Sequence, residues 1–156
     1  MTEAGGTVRR LYFYSPTHEN GWLANFSAHA ISLNGHEWKT AEHFFQASKF
    51  LFPPLASAIR EAASATEAKY LAKLWHAHKR ADWGFIRLAV MYEAVRAKFT
   101  QHPNLRLQLL GTGDSMLIER APSDCFWGQT VEGYGLNVMG AILMALRSDL
   151  RQGGPR

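Results

Sequence analysis

Glu42, Phe45 and Lys49 are the residues whose types and spacing first suggest chemistry. They lie in the stretch Glu37-Trp38-Lys39-Thr40-Ala41-Glu42-His43-Phe44-Phe45-Gln46-Ala47-Ser48-Lys49-Phe50. Thr40 is a good helix N-cap, and the helix it opens must stop before Pro53-Pro54. At about 100° per residue, the three side chains fall within about 60° of one another. A carboxylate, an aromatic ring and an amine then share one stripe, with Trp38 placed just ahead of the cap to fold over it. Such a stripe is a poor core and a poor solvent face, but it suits a pocket that grips a flat ring while moving protons. A plainer reading treats the charges separately: Glu42 suits the positive end of the helix dipole, and Lys49 the negative end.

Two other stretches set polar groups beside rings. In Arg80-Ala81-Asp82-Trp83, Asp82 reads as an N-cap and Trp83 as the first helical residue, free to pack. In Asp124-Cys125-Phe126-Trp127-Gly128, an acid flanked by Pro122, Trp and Gly is not explained by core packing; its plain alternative is an Asx-turn. Other chemistries lack their residues. His76 and His78 stand two apart in a helical region, and His36 and His43 have no ligand spacing, so no metal site is expected. A single cysteine, Cys125, forbids an internal disulfide and discounts a thiol nucleophile. There is no P-loop, no Gly-x-Ser-x-Gly and no dinucleotide-binding glycine signature.

The elements that must position these groups are mostly helical. Leu11 to Tyr14 is a short aromatic strand, ended by Ser15-Pro16. Residues 22–27 read as loop. Ala30 to Leu33, Asn34-Gly35 and His36 to Trp38 form an Asn-Gly β-hairpin that delivers the chain into the Thr40 helix. Helices are expected over 55–63, from Ser64 or Thr66 through Leu74, from Asp82 to about Phe99, and from Pro103 to Gly111. Met116 to Glu119 is extended, and 121–128 is a loop. The last helix runs from Asn137 to about Leu150, with Met139, Ile142, Leu143, Leu146 and Leu150 as core. The expectation is a mainly α, compact single domain over 11–150, with a small antiparallel β-hairpin near its start. Residues 1–10 and 151–156 are expected to be flexible ends.

Composition agrees with a folded globular chain of 156 residues, 47% hydrophobic and 19% charged. No apolar run is long enough to span a membrane, and residues 1–6 lack the pattern of a signal peptide, so a cytoplasmic protein without membrane partners is expected. Seventeen basic against thirteen acidic residues leave a net charge of +4, spread along the chain. That balance favours small anionic ligands and argues against a general nucleic-acid binder.

Taken in order, several blocks resemble one family. They are Asn25-Phe26, Trp38 to Ala47 with Lys49-Phe50, Arg80-x-Asp82-Trp83, Leu109-Leu110-x-Thr112-Gly113-Asp114, Leu117-Ile118-Glu119 and Asp124-x-Phe126-Trp127-Gly128. Together they are similar to the NADAR (YbiA-like) N-glycosidase family, from about Tyr12 to Leu150. The resemblance implies a compact helical domain that cleaves N-glycosidic bonds without a cofactor or metal. Its substrates would be phosphorylated ribosylaminopyrimidines early in riboflavin synthesis; alternatives are ADP-ribose on guanine, with nucleic acid only as the modified substrate, or a non-catalytic ADP-ribose or nucleotide reader. On that basis Glu42 and Asp124 would share acid–base work and support of the sugar cation, and Lys49 would bind substrate oxygens or form a Schiff base. Trp83 and Trp127 would stack on the base, Arg80 contact a phosphate, and Asn25 and Gln46 hydrogen-bond the sugar or base. Phe26, Trp38, Phe45 and Gly128 would complete the binding surface. The chain departs from the family pattern at Ala24, Met139 and Thr130, the last expected beside the site and to affect substrate preference.

Overall fold

Thr40 opens the helix around which the molecule packs. Its backbone is extended and its Oγ1 accepts a hydrogen bond from the His43 N–H, so α1 (Ala41–Ala47) starts at the expected cap. The computed structural model describes residues 7–153; the expected flexible ends fall partly on residues 1–6 and 154–156, which lie outside the described ones. All of α1 is buried, because α2 (Pro53–Glu61), α3 (Ala65–Leu74) and α4 (Trp83–Gln101) pack around it. His43 is buried as a neutral ring: Nε2 donates to the Ala62 carbonyl at 3.2 Å, and Nδ1 accepts the Thr40 hydroxyl at 2.8 Å. Burial lowers its pKa, which favours that neutral form.

The short helix acts as a partition between two cores. Phe45 joins Trp83, Met91, Val95 and Leu143 on one side; Ala41, Phe44 and Ala47 join Ile31, Trp38, Phe50 and Ile59 on the other. Each large side chain so buried contributes roughly 1.5–3 kcal/mol. The hairpin of β2 (Ile31–Leu33) and β3 (His36–Trp38) leads directly into α1. Asn34 and Gly35 both take positive φ, 54° and 75°, as a type I′ turn requires.

Two features depart from the expected layout. First, α2 starts at Pro53, since a proline at the first helical position loses no hydrogen bond there. Second, β1 (Arg10–Phe13) pairs in parallel with β4 (Met116–Glu119), so a two-stranded parallel sheet accompanies the antiparallel hairpin. Parallel neighbours need a crossover, and here the crossover includes α1 to α4 and α5 (Pro103–Gly111). Against β4 packs α6 (Val138–Arg151). Its Met139, Leu143 and Leu146 are buried, while Ile142 and Leu150 lie at the core's edge.

One buried charge fixes the loop that follows β1. Lys98, on α4, donates from Nζ to the Trp22 and Ala24 carbonyls at 2.6 and 2.8 Å and to Ser27 Oγ at 2.6 Å. These three acceptors match the three protons of an ammonium, although burial pulls its pKa down to about 7. Replacing Lys98 with Met removes this donor from all three acceptors, of which the Ala24 carbonyl keeps the Ser27 N–H and Ser27 Oγ keeps His29. Lys98→Met is therefore expected to lose about 2–4 kcal/mol of stability, read as a lower denaturation midpoint in urea. An unchanged midpoint would show that the loop does not depend on this lysine.

Candidate active site

Residues Glu42, Phe45 and Gln46 of α1 face a cavity of about 400 Å³. Lys49 joins them from beyond the Ser48 C-cap; a turn, with Lys49 N–H donating to the Gln46 carbonyl at 3.3 Å, continues the stripe past the helix end. Opposite stand Asn25 and Phe26, Lys69 of α3, Glu119 at the end of β4, and Asp124 and Trp127 of the following loop. Glu42 and Asp124, distant in sequence, thus line one hollow.

Each segment is tied to its neighbour by backbone groups. The Glu42 N–H, an unpaired donor of the first turn of α1, reaches the Asn25 carbonyl at 3.2 Å. Asp124 Oδ1 accepts from the Phe126 and Trp127 N–H groups at 3.1 and 2.9 Å, which is the Asx-type turn, while Oδ2 stays outside it. Asn137, at positive φ, clamps β4: its Oδ1 accepts from the Glu119 N–H at 3.0 Å and its Nδ2 donates to the Leu117 carbonyl at 2.8 Å. Gly128 does not line the cavity. A Cβ there would stand 2.7 Å from the Glu119 carbonyl oxygen, so glycine is needed for the loop to lie against β4.

The electrostatics follow from burial. Glu42 is buried, and its pKa is raised chiefly by that burial, with Asp124 adding; Gln46 Nε2, donating to its Oε1 at 2.6 Å, and Lys69 and Lys49 oppose the shift. Glu119 is pushed up to about 7 by burial and by the charges of Asp124 and Glu42. Lys49 is lowered by burial first, with Lys79 and Lys69 adding and Glu42 opposing. Its Nζ lies 5.3 Å from the Phe45 ring centre and 5.8 Å from that of Trp83. Two buried amide oxygens on the wall, Asn25 Oδ1 and Gln46 Oε1, accept no hydrogen bond.

Several expected positions are corrected. Trp38 does not cover the stripe: β3 points it inward opposite Ile31, where Nε1 donates to the Leu33 carbonyl at 3.1 Å and the ring meets Phe44 edge-on. Arg80 is outside the cavity, held by Asp82 through paired bonds of 2.6 and 2.9 Å; its backbone N–H donates to the Lys49 carbonyl. Asp82 sits at the N-cap of α4 but makes no side-chain capping bond, because that carboxylate is spent on Arg80. Trp83 is buried behind Phe45, 5.0 Å between ring centres, and faces an adjoining cavity, while Trp127 meets Phe45 edge-on at 5.5 Å within the main one. Thr130 lies on a different surface with Arg10 and Tyr12; Ala24 and Met139 are the departures from the family pattern that line the cavity. Glu119 and Lys69 also line the cavity, which the sequence does not reveal. The signal for Glu119 was an acid closing a short apolar strand, Met116-Leu117-Ile118, but strand pattern alone does not show what the acid faces. Among the described residues, no group of three or more His, Cys, Asp or Glu is arranged to hold a metal ion, and no helix is long and apolar enough to cross a membrane.

Comparison with known proteins gives consistent neighbours. The NADAR domain family model matches residues 12–151. A riboflavin biosynthesis protein of Vibrio vulnificus is 40% identical over 93% of the chain, which spans only 40% of that longer protein. An N-glycosidase of Nostoc punctiforme is 38% identical, covering 90% of this chain and 92% of its own. N-glycosidase YbiA of Escherichia coli is 38% identical over 88% of this chain and 86% of its own. The NMR structure of E. coli YbiA superposes with a TM-score of 0.86 at 36% identity, covering 93% of this chain and 86% of that one.

The raised Glu119 pKa has a signed consequence for stability. The folded protein holds a proton that the unfolded chain releases between its ordinary pKa of 4.5 and about 7. The folded state therefore loses stability as pH rises through that window, by about 1–3 kcal/mol. Glu119→Gln is expected to flatten this dependence and to be more stable than the parent protein at pH 8, measured by urea unfolding at several pH values. A variant with the parent's slope would remove Glu119 as its source.

Proposed function

The chain belongs to the NADAR domain family, and from that membership we propose that it is an N-glycosidase hydrolysing the C1′–N bond of a ribosylated base. The proposed substrates are phosphorylated ribosylaminopyrimidine intermediates of riboflavin synthesis, in keeping with the Vibrio relative's name. The observation that carries this reading is the meeting of Glu42, Glu119, Asp124 and Lys49 on one cavity of nucleoside size, beside the Phe45 and Trp127 rings.

Cleaving the bond requires a proton for the departing base, support for positive charge at C1′, and water. Burial holds Glu42 and Glu119 toward the protonated form, so either can donate the proton that the base nitrogen takes as the bond breaks. Asp124, fixed by two backbone N–H groups, is the carboxylate to face the sugar cation. Lys49 has a lowered pKa and no carboxylate partner within salt-bridge distance among the described residues, which leaves its amine available. It can add to C1′ of the ring-opened ribosylamine; the base nitrogen takes a proton and departs as the C1′–N bond breaks, and water hydrolyses the resulting lysine imine to the sugar aldehyde and the free amine. Asn25 and Gln46 line the same cavity beside these groups. A non-catalytic reader needs no such set of proton carriers.

Incubation with a ribosylaminopyrimidine phosphate, and separately with ADP-ribosylated guanine, should release free base from the former; release from the latter alone would reassign the substrate. Glu42→Gln and Asp124→Asn should each lower the rate about 10²-fold or more while staying folded, and parental turnover in either removes that residue from the mechanism. Borohydride should trap sugar on Lys49 during turnover. Absence of the adduct would favour direct attack by water.

A further inference from the structure

A second cavity of about 250 Å³ adjoins the first and shares Gln46, Lys49 and Lys69 with it. Beyond these its wall holds Lys73, His76, Lys79 and Trp83 with Ala72, and no carboxylate at all. The first cavity holds three carboxyl groups, so the two compartments differ in charge. The four lysines come from three places in the chain: Lys49 beyond α1, Lys69 and Lys73 on α3, and Lys79 after a 3-10 turn at His76–His78. Among the described residues, no carboxylate lies within 4.0 Å of any of their ammonium groups.

Ordinary surface logic does not produce this arrangement. Lys73 suits the C-terminal dipole of α3, but that does not account for Lys69, Lys49 or Lys79. Lys69 and Lys73 stand four apart on one helix, a like-charge pairing that destabilises it. Lys49 and Lys69 also face Glu42 across the junction, but Lys73 and Lys79 have no such counterpart, and converging ammonium groups in excess of nearby carboxylates are what a multiply charged anion requires. Lysine, as a flexible point charge, suits phosphate oxygens whose positions vary between ligands.

We propose that this lysine-lined annex binds the phosphate or diphosphate of the substrate, while the C1′–N bond lies among Glu42, Glu119 and Asp124 next door. The protein is then selective for ribosyl phosphates over free nucleosides. Lys49 and Lys69 stand at the junction, where the sugar must pass between the two compartments. The orientation rests on the glycosidase reading; the anion site itself does not.

Calorimetric titration with ribose 5-phosphate and with ADP-ribose tests the annex without any turnover. Lys73 is exposed and Lys79 half-buried, outside both cores, so Lys73→Glu/Lys79→Glu should fold, checked by circular dichroism. The expected result is binding of at least one probe to the parent protein and a loss of at least tenfold in affinity in the double variant, with a shallower salt dependence. Tighter ribose 5-phosphate marks a monophosphate site, tighter ADP-ribose a diphosphate site. Lys73→Gln and Lys79→Gln should each give a smaller loss in the same direction, and they decide the matter if the double variant is unfolded. Equal affinities in parent and variants, or no binding of either probe, overturn the annex even if base release continues. A tenfold loss alongside failure to release base from any ribosylated substrate supports the annex and removes the glycosidase.

Discussion

Placing several carboxyl groups on the wall of one small cavity is costly, and much of the molecule is arranged to bear that cost. Two like charges about 5 Å apart repel by roughly 3 kcal/mol even at an effective dielectric of 20. That is a large fraction of the 5–15 kcal/mol (approximate range) by which domains are stable. Here the repulsion is relieved in three ways: Glu119 and Glu42 are held toward their protonated forms, Gln46 donates to Glu42, and Lys49 and Lys69 share the wall. The relief by protonation has a chemical return. A carboxyl group that keeps its proton near neutral pH is the proton donor that bond cleavage to a poor leaving group demands.

Such a wall persists only if the segments carrying it cannot drift apart. Several of the stretches that carry it are anchored through main-chain groups. Lys98 gathers the carbonyls of the 22–27 loop, and Glu42 N–H takes the next one, so Asn25 and Phe26 are fixed to the first turn of α1. Asn137 takes both a carbonyl and an N–H of β4, fixing Glu119 at the strand's end. Gly140 lets α6 approach so closely that a Cβ would stand 2.1 Å from the Leu117 carbonyl oxygen. The same tight contact brings Met139 to the cavity beside Asn25.

Local features of the fold could be read from the chain because they are set by local physics. The Asn34-Gly35 turn, the Thr40 cap and Pro103 at a helix start each depend on residues within a few positions of one another. The pairing of β1 with β4 could not be read, since nothing in Leu11 to Tyr14 specifies a partner on the far side of five helices. The same limit governs the site. The Glu42–Lys49 stripe follows from helix periodicity, whereas Glu119 and Lys69 reach it through tertiary packing. Trp38 was misplaced for a related reason: it precedes the helix and obeys strand alternation, which turns it into the opposite core. Arg80 was misplaced because a carboxylate two residues away offers it a paired contact that spacing alone does not reveal.

For Glu42 and Lys49 the helix dipole and burial push proton affinity in opposite directions. A glutamate kept for the helix dipole should have its charged form favoured, and so a lowered pKa. A lysine kept for the other end should have a raised one. Glu42 is raised and Lys49 lowered, in both cases because burial outweighs every favourable charge nearby. For both groups burial is the leading influence on ionisation, and it opposes the charged form. Asp124 differs, because its two readings do not compete. One oxygen closes the turn that aims the loop, and the other is left outside that turn, so the structural role is what positions the group for any chemical one.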